Sequence, residues 1–403
     1  MNIGIMMIEP VYAVVAAVLV FFAVFFLVVI RRLWPVFAYA YPNARLAAME
    51  ARLFSGARVG EIAGEKSVND AFEVLSGTDY SKICDADTSD CERVFNQYFV
   101  DHVLEVRKFS PKMAMPLFNF YVREWEIYNI RNALRIVMSD GNPGKDDVKH
   151  CFVDVNGFGF DKMSEVVSCG DIAGALEKLK DTVYYPVIDE YLGKYREAEN
   201  AGALEAMLDK YNILRLYEDA EPQPVRGSRR FFGDKKALNG RAHMNAVDSF
   251  VVRNYAGMTA DVLNISVALR ILLEKGNRGV ESEQFVPAGL FIDSEKRDEL
   301  CSIQNVEDVS RIVSGTPYEE GFRNGLNEFK KTGKIEGILR RLDDLALEHV
   351  KAMALNYPFS IAVAVRYMAL KRNEVFLLRS IFKGISDNVK FEIDEDLRVV
   401  LED

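Results

Sequence analysis

The chain has 403 residues, which is more than one hydrophobic core usually serves, so we expect two or three core units. Its 60 acidic residues outnumber its 50 basic residues and give a net charge of −10, which excludes a chain-wide binder of duplex nucleic acid. The five cysteines form no C-x-x-C pair, which argues against a disulfide framework or a zinc ribbon and favours a reducing compartment. They are Cys84, Cys91, Cys151, Cys169 and Cys301.

An uncharged segment near the N-terminus is long enough to cross a bilayer. It runs from Val11 to Ile30 and contains no Gly or Pro. At about 1.5 Å per residue, a helix of this length covers about 30 Å, the thickness of the hydrocarbon core. A buried globular helix of this length would normally have a polar face, and this segment has none. We therefore predict a transmembrane anchor in residues 1–36.

The charges around this segment argue against a cleaved signal peptide, although residues 38–40 have the small side chains of a cleavage site. Glu9 precedes the segment, and Arg31 and Arg32 follow it. Because positively charged flanks stay in the cytoplasm, the body that follows is predicted to lie on the cytoplasmic face of the membrane. The alternative is a misassigned start codon that adds an untranslated segment.

The rest of the chain has the periodicity of α-helices. Apolar residues recur at i, i+3, i+4 and i+7, and no run shows sustained strand alternation. The predicted fold class is all-α, with almost no sheet. Two sequence elements recur three times each, which predicts three pseudo-repeated helical units. The predicted bounds are 37–157, 158–287 and 288–403, with an insertion in the second unit near 218–241.

The first repeated element reads apolar-x-x-x-apolar-x-x-Thr-x-Tyr. It occurs as Ala71, Leu75, Thr78 and Tyr80, as Ala175, Leu179, Thr182 and Tyr184, and as Val309, Val313, Thr316 and Tyr318. The second element closes each unit with a long apolar helix that carries an acid, then an amide, then a base. Its copies are Glu126, Asn129 and Arg135; Asp261, Asn264 and Arg270; and Glu374, Leu377 and Lys383, where Leu377 replaces the amide.

The amides are interpreted as structural residues. Asn264 shares a helix stripe with Ala260 and Ala268, whose small side chains permit close helix packing. We expect the amide to be hydrogen-bonded across that helix contact. A buried amide without a partner costs roughly 1–3 kcal/mol, so a paired one helps to select a single register. A catalytic role for these amides is disfavoured.

These residues resemble those of a known family. The segment from Tyr39 to Leu53, YAYPNARLAAMEARL, and the Glu/Asp-x-x-Asn-Ile-x-x-x-Leu-Arg helices resemble the C subunit of the V/A-type rotary ATP synthases. The vacuolar counterpart in that family is called the d subunit. The resemblance runs from about Tyr39 to the C-terminus and depends on the order of the motifs, their triple repetition and the length of the body.

The resemblance implies a funnel of three similar helical units around a pseudo-threefold axis. Such a funnel sits on the membrane rotor ring, receives the foot of the central shaft and carries torque without an active site. Ring and shaft subunits are the implied partners, and lipid contacts residues 11–30. No nucleic acid, small-molecule substrate, cofactor or metal is expected. Leu377, the second-unit insertion and the anchor depart from the family pattern, since many members are peripheral proteins.

Candidate binding chemistry elsewhere in the chain is sparse. The four histidines are scattered without metal-ligand spacing. The densest basic stretch contains six cations against one acid, Asp234, and is interrupted by Phe231 and Phe232. A solvated loop is one interpretation, and docking to anionic lipid headgroups or to an acidic partner subunit is the other. The six cations are Arg226, Arg229, Arg230, Lys235, Lys236 and Arg241.

The sequence and the resemblance together predict a non-catalytic rotor subunit of a V/A-type ATP synthase or ATPase. It would join the ion-translocating ring to the central shaft and support ATP synthesis driven by protons or sodium ions. We hypothesise that the anchor occupies the lumen of the ring, because a helix in the lipid outside the ring would sweep through the stator. The alternative function is a stationary single-pass membrane scaffold or assembly factor built on the same three-unit body.

Overall fold

A computed structural model describes residues 3–84, 90–138, 148–194, 201–221, 244–273 and 281–387. Within these ranges the regular secondary structure is helical and no β-strand occurs, which confirms the predicted all-α fold class. The basic stretch 226–241, and with it most of the predicted insertion, lies outside the described residues.

Sixteen α-helices and two 3₁₀ turns have described bounds. The N-terminal helix, of 48 residues, is the longest, and six others are long. In chain order the helices are α1 (Ile3–Glu50), α2 (Gly56–Ala63), α3 (Val68–Leu75), α4 (Cys91–Phe109), α5 (Met115–Met138), α6 (Phe160–Val167), α7 (Ile172–Leu179), α8 (Tyr185–Lys194), α9 (Ala201–Asp219), α10 (Ala246–Leu273), α11 (Glu281–Gln284), α12 (Ser294–Leu300), α13 (Val306–Ile312), α14 (Tyr318–Thr332), α15 (Glu336–Asn356) and α16 (Ala362–Ser386); the 3₁₀ turns are Asp79–Ile83 and Lys112–Ala114. The six long helices of the body are α4, α5, α9, α10, α15 and α16.

Several short helices start at a side chain that caps the free N–H groups of the first turn. The Asp171 carboxylate accepts from the Gly174 backbone N–H at 2.6 Å, and Asn305 and Asp308 form a reciprocal capping box. Helices of seven or eight residues are unstable alone, so their apolar faces must pack on other elements. The capping residues are Ser55, Ser67, Asp171, Asp293 and Asn305.

The six long body helices form a closed ring. Neighbours in chain order pack against each other from α4 through α5, α9, α10 and α15 to α16, and α16 packs against α4. Three antiparallel hairpins, α4–α5, α9–α10 and α15–α16, therefore alternate with three contacts between hairpins. Packed long helices make such a ring stiff, because native-density cores deform little.

Three hydrophobic clusters show how the short helices attach to this ring. One cluster joins the C-terminal half of α5 to α6, α7 and α8, and another joins the C-terminal half of α10 to α12, α13 and α14. The third joins the C-terminal half of α16 to α2 and α3 and continues between the long helices. Each group of short helices thus packs on the long helix that precedes it, and the first group packs on the last helix. The predicted unit boundaries remain a prediction.

The α4–α5 turn, the α15–α16 turn and the start of α10 lie at the same end of the body, where α1 also leaves it. Asn245 Nδ2 lies 3.8 Å from Met113 Sδ and joins the start of α10 to the α4–α5 turn. The Asp248 carboxylate accepts from the Ile361 N–H at 2.9 Å in the α15–α16 turn and from the Tyr39 hydroxyl of α1 at 2.8 Å. We call residues 108–114, 244–252 and 353–365 the turn end.

Helix α1 is continuous from the apolar segment into the body. Residues 12–30 have no buried side chain and meet the length and composition of a membrane span, whereas Tyr39, Leu46 and Met49 are fully or almost fully buried. The predicted anchor boundary at residue 36 falls inside this helix. The alternative cleavage site at 38–40 contains Tyr39, whose side chain belongs to the body core.

Candidate functional site

The acids of the long helices bind the tyrosines of the short-helix groups. The Tyr80 hydroxyl donates to Glu374 Oε2 at 2.6 Å, and the Tyr318 hydroxyl donates to Asp261 Oδ2 at 3.1 Å. The Tyr184 hydroxyl donates to Glu126 in the same way. Each pair joins the acid of one predicted unit to the tyrosine of the next, and the third unit returns to the first. We call these three pairs the seams.

The repeated threonine positions each tyrosine. The hydroxyls of Thr78, Thr182 and Thr316 donate to the backbone carbonyl three residues earlier, at 2.7, 2.7 and 2.6 Å. At Thr78 and Thr316 the same oxygen accepts the N–H of the tyrosine two residues later at 3.2 Å. Such a local turn explains why the Thr-x-Tyr spacing recurs.

Burial determines the protonation state of the tyrosine hydroxyls and the carboxyl groups in the seams. Burial first, and then the neighbouring carboxylate, raises the pKa of Tyr184 and of Tyr318 above the usual range of tyrosine. Burial also raises the pKa of Glu126 and brings the pKa of Asp261 to about 6. The phenols therefore stay protonated and serve as donors at neutral pH, and the carboxylates serve as acceptors.

Asp261 makes the most connections of the three acids. Its carboxylate accepts the backbone N–H groups of Leu290, Phe291 and Ile292 at 3.2, 2.8 and 3.1 Å. Gly289 leaves room for this arrangement, because a Cβ there would lie 2.3 Å from Asp261 Oδ1. Asp261 thus organises the segment that leads into α12 as well as the tyrosine of α14.

The seam at Glu374 closes the ring and is built differently. Glu374 Oε1 accepts the Phe54 N–H at 2.7 Å, which ties α16 to the residues just after α1. Glu374 Oε2 also accepts from Lys371 Nζ at 2.7 Å, and that ammonium lies 4.2 Å from the centre of the Tyr80 ring. Lys371 is 3% exposed, and a buried cation of this kind is stable only with such partners.

The amides hold backbone segments, which corrects the expectation of a bond across a helix contact. Asn129 donates to the Val153 and Phe158 carbonyls at 2.7 and 2.8 Å and accepts the Val153 N–H at 3.0 Å. Asn264 donates to the Val286 carbonyl at 3.0 Å and accepts its N–H at 2.7 Å. Both amides replace the missing hydrogen-bond partners of a non-helical segment.

The same geometry gives a physical reason for Leu377. Val153 and Val286 lie seven and eight residues before α6 and α12, and Met49 lies seven residues before α2. Met49 belongs to α1, so its surroundings already contain a hydrogen-bonded helix rather than an open backbone segment. Leu377 and Met49 are buried in the same cluster. An apolar side chain therefore suits this position, since no backbone group there needs the amide.

The bases of the second element lie in the C-terminal part of each long helix. Arg135 pairs with Glu205 of α9, and Lys383 Nζ lies 3.3 Å from the Asp387 carboxylate. The Arg270 side chain is exposed and acts on the carboxylate of Asp209. The three bases thus interact with three different acids, and the fold does not bring them together.

The inside of the ring contains charges from several helices. Glu124 of α5 pairs with Arg372 of α16 at 2.6 Å. Beside Arg372 lies Asp343 of α15, whose pKa burial raises to about 6. Asp209 of α9 faces Arg372, Arg270 and Arg131, and burial raises its pKa. We call Glu124, Asp209, Arg270, Asp343 and Arg372 the interior charges.

The space around the interior charges is open to solvent, while the space nearer the turn end is filled. Arg372 has neighbours on α5, α10 and α15, yet its side chain is 48% exposed. Tyr121 and Tyr255 are buried, and their hydroxyls meet at 3.1 Å. Tyr121 precedes Glu124 by about 4.5 Å along α5, at the helical rise. The ring is therefore closed by aromatic side chains on one side and open on the other.

The segment from Tyr39 to Leu53 attaches α1 to the body. Asn43 Nδ2 donates to the Pro358 and Ser360 carbonyls at 2.9 and 3.1 Å. Arg45 pairs with Glu105 of α4 at 3.2 Å. Because these contacts involve the α15–α16 turn and α4, α1 is held where α16 and α4 close the ring.

The sequence reasoning did not predict that the tyrosine of one unit pairs with the acid of the unit before it. A signal was present, because both elements recur three times in the same order and each contains one side chain that can hydrogen-bond to the other. In the described ranges, no group of three or more His, Cys, Asp or Glu side chains is placed so that it could hold a metal ion. Burial lowers the pKa of His102 to about 3, and its ring bonds to Tyr367 at 2.6 Å, so it is a neutral structural residue.

Comparison with known proteins shows the family of this chain. The C subunit of the A-type ATP synthase of Pyrococcus abyssi is 28% identical over 367 residues, covering 89% of this chain and 90% of the relative. Its counterpart in Pyrococcus horikoshii is 28% identical over 376 residues, covering 91% of each, and the one in Methanocaldococcus jannaschii is 23% identical, covering 90% of this chain and 86% of the relative. A family model described as ATP synthase (C/AC39) subunit matches residues 42–395, and the chain therefore belongs to that family.

Proposed function

We propose that this protein is a non-catalytic coupling subunit of a V/A-type rotary ATP synthase or ATPase. It would join the ion-translocating membrane ring to the central shaft and turn with both. The observation that carries this proposal is the closed ring of long helices, in which three seams tie the units to one another and the last unit to the first. A closed ring transmits torque without opening, and family membership supports this use of it.

The open side of the ring is the proposed seat of the shaft. The interior charges come from five long helices and are partly exposed, Arg372 most clearly at 48%, so a protein segment that enters the helix ring would meet both signs of charge. Complementary charges on such a segment would select its orientation and register. The three hairpins surround this space, which supports the funnel expected from the resemblance.

The turn end is the proposed membrane side. Helix α1 leaves the body there, and the residues matched by the family model begin only at residue 42. The apolar residues of α1 would span the bilayer, with the body on the cytoplasmic face. We infer that this span lies in the lumen of the membrane rotor ring, on the axis of rotation. A span in lipid outside the rotor ring would meet the stator.

Recovery of partners tests the proposed function. A C-terminally tagged full-length chain is extracted from native membranes in a mild detergent, and the bound proteins are identified with their stoichiometry and intact masses. Ring and shaft subunits in fixed ratio are expected. Loss of both sets from every preparation, with a correctly folded bait, would contradict the coupling role.

Crosslinks from the span test its position. A photoreactive residue at Val18 or Phe22 is expected to react with ring subunits. Reaction with the stator membrane subunit and never with the ring would contradict placement in the lumen, while leaving the role in the complex intact.

Charge reversal inside the ring tests the seat of the shaft. Arg372→Glu places a third acid beside Glu124 and Asp343 and is expected to reduce recovery of shaft subunits. The matched control is the double variant Arg372→Glu with Glu124→Arg, which restores the pair with opposite polarity. If the double variant recovers stability but not shaft binding, the interior charges contact the shaft; full recovery of both would assign them to folding alone.

The second candidate is a stationary single-pass membrane scaffold or assembly factor with the same body. The observation that favours it is the span itself, which precedes the matched residues. Association only with incomplete complexes, lost when assembly finishes, would support this candidate over the rotor.

A further inference from the structure

The face of α16 that points into the helix ring carries an exposed aromatic side chain. Phe376 is 57% exposed and lies one helical turn after Arg372, on the same face of the helix. Arg372 reaches Glu124 of α5. The opposite face of α16 packs on α2 and α3, where the Phe382 and Phe72 rings lie 4.7 Å apart. Phe376 therefore points into the space of the interior charges, one turn further from the turn end.

Cations flank this aromatic side chain on the same face of α16. Arg379 and Lys383 lie seven and eleven residues after Arg372, so the three side chains share one helix face. Each is partly exposed, Lys383 most at 67%. The guanidinium carbon of Arg379 lies 4.9 Å from the centre of the Phe376 ring. Glu374 is the one acid of α16, and it is buried in its seam. We call Arg372, Phe376, Arg379 and Lys383 the α16 strip.

The corresponding faces of α5 and α10 differ from the α16 strip. When the three helices are aligned at the amide position, Phe376 corresponds to Tyr128 and Leu263, which are both half-buried. Tyr128 packs on Trp125, with ring centres 5.3 Å apart, and the cations of α5 pair with acids of α9. The three units are therefore not equivalent in this space. The corresponding residues are Glu124, Tyr128, Arg131 and Arg135 of α5, and Thr259, Leu263, Ser266 and Arg270 of α10.

The acids that pair with the two outermost cations of the strip hold them weakly. Arg379 lies 3.8 Å from the exposed Glu92 of α4, and Lys383 lies 3.3 Å from Asp387, just after the helix. Exposed pairs of this kind contribute about 0–1 kcal/mol, so both cations can pair with an incoming carboxylate at little cost. Once a partner excludes water, such charge-assisted hydrogen bonds select its orientation.

The concave surroundings give the exposed phenyl ring its meaning. A single exposed aromatic side chain on a convex surface is ordinary, but Phe376 lines the space inside the six long helices. Concave surfaces that combine an apolar side chain with converging charges are typical of binding sites, and aromatic and Arg side chains dominate the binding energy of protein interfaces. The α16 strip therefore suits a protein segment with an apolar side chain and carboxylates.

We propose that the α16 strip is the docking face for the central shaft, and that the shaft segment bound there carries an apolar side chain flanked by carboxylates. This rests on the proposed function, which seats the shaft inside the helix ring. Docking on one unit of three fixes a single rotational register between shaft and body, which three equivalent faces could not do. A fixed register keeps the shaft from slipping when torque is applied.

Photocrosslinking of the full-length, tagged chain in native membranes tests this contact. Benzoylphenylalanine replaces Phe376, and adducts are identified by mass. Adducts with shaft subunits are expected. The matched controls are Tyr128, the corresponding position on α5, and Val183, which is 59% exposed just before α8. Several-fold fewer shaft adducts are expected at both control positions.

Substitution tests how much the strip contributes to shaft binding. Phe376→Ser and Lys383→Glu are each expected to reduce recovery of shaft subunits several-fold and to leave recovery of ring subunits unchanged. Because both side chains are exposed, the midpoint of thermal unfolding should stay near that of the unsubstituted protein. The matched control Val183→Ser is expected to recover shaft subunits as the unsubstituted protein does.

The outcomes separate this inference from the proposed function. If the unsubstituted chain recovers shaft and ring subunits but Phe376 gives no more shaft adducts than Tyr128 or Val183, the docking face is wrong and the function stands. Equal shaft recovery with Phe376→Ser and Val183→Ser contradicts the docking face in the same way. If the unsubstituted chain recovers no shaft subunits from any preparation, the proposed function fails and the inference fails with it.

Discussion

Within the residues that the structure describes, two helices are long and apolar enough to cross a membrane, and they lie in opposite environments. The segment Tyr12–Ile30 of α1 has no buried residue, whereas 61% of the apolar window of α10, Ala246–Leu273, is buried inside the body. The two helices differ in their polar residues. The α1 segment contains no charged residue. Helix α10 contains Asp248, Asp261 and Asn264, and each of these side chains is hydrogen-bonded to another part of the chain.

This comparison shows how a few polar side chains assign an apolar helix to a protein core. In lipid, Asp261 and Asn264 would have no partner, and a carboxylate at mid-bilayer costs several kcal/mol. In the body, they replace the missing hydrogen bonds of the segments at Val286 and Ile292. Helix α10 is therefore a core helix, and α1 is the one that suits a bilayer.

Placing a charge in each helix should produce the largest difference between the two helices. Ile265→Arg puts a cation into the buried face of α10 and is expected to unfold the body, at a cost above about 5 kcal/mol. Phe22→Arg is expected to weaken membrane insertion by about 3 kcal/mol and to leave the body folded. Membrane extraction and thermal unfolding measure the two effects. Unfolding of the body by Phe22→Arg would break the comparison.

Removal of the Asp261 carboxylate should have the next largest effect. Asp261→Ala leaves the N–H groups of Leu290, Phe291 and Ile292 and the Tyr318 hydroxyl without an acceptor, and we expect a loss of about 3–5 kcal/mol. The matched control is Asp293→Ala, which removes an exposed helix cap worth about 1 kcal/mol. Chemical denaturation of the full-length chain in detergent measures both. Equal losses of unfolding free energy in the two variants would show that the Asp261 seam stabilises the protein no more than one helix cap does.

The pH dependence of the Asp261 seam should have an unusual sign. Burial raises its folded pKa to about 6, above the unfolded value of 3.8, so the folded state binds the proton more tightly. Between about pH 6 and pH 4, acidification should therefore increase the stability of the native protein relative to Asp261→Asn, by up to about 3 kcal/mol. Above pH 6 the difference should be constant. A difference that falls on acidification would contradict this interpretation.

Exchange of the amide and the leucine should give the smallest effect. Asn264→Leu leaves the Val286 N–H and carbonyl unpaired and is expected to cost about 2 kcal/mol. Leu377→Asn buries an amide beside the already bonded backbone of α1 and is expected to cost a similar amount. Both are measured as changes in the unfolding free energy. If Leu377→Asn were neutral or stabilising, the proposed role of α1 at that position would be wrong.

Much of the local structure could be predicted from periodicity. The all-α class, the Thr-x-Tyr elements and the long helices bearing acids all occur where the sequence indicated. The amide contacts could not be predicted, because a helical stripe says which side faces inward but not whether a helix or an open segment lies opposite. Asn264 was expected at a helix contact and instead binds Val286.

The sequence by itself determined the helices, their repetition and the apolar segment of α1, because these depend on residue spacing within one helix. Only the tertiary structure decided which partners meet. Tyr184 and Glu126 are 58 residues apart, and Tyr80 and Glu374 are 294 apart, so their pairing depends on how the whole ring closes. Ring closure is a packing outcome of all six long helices, and no local pattern encodes it.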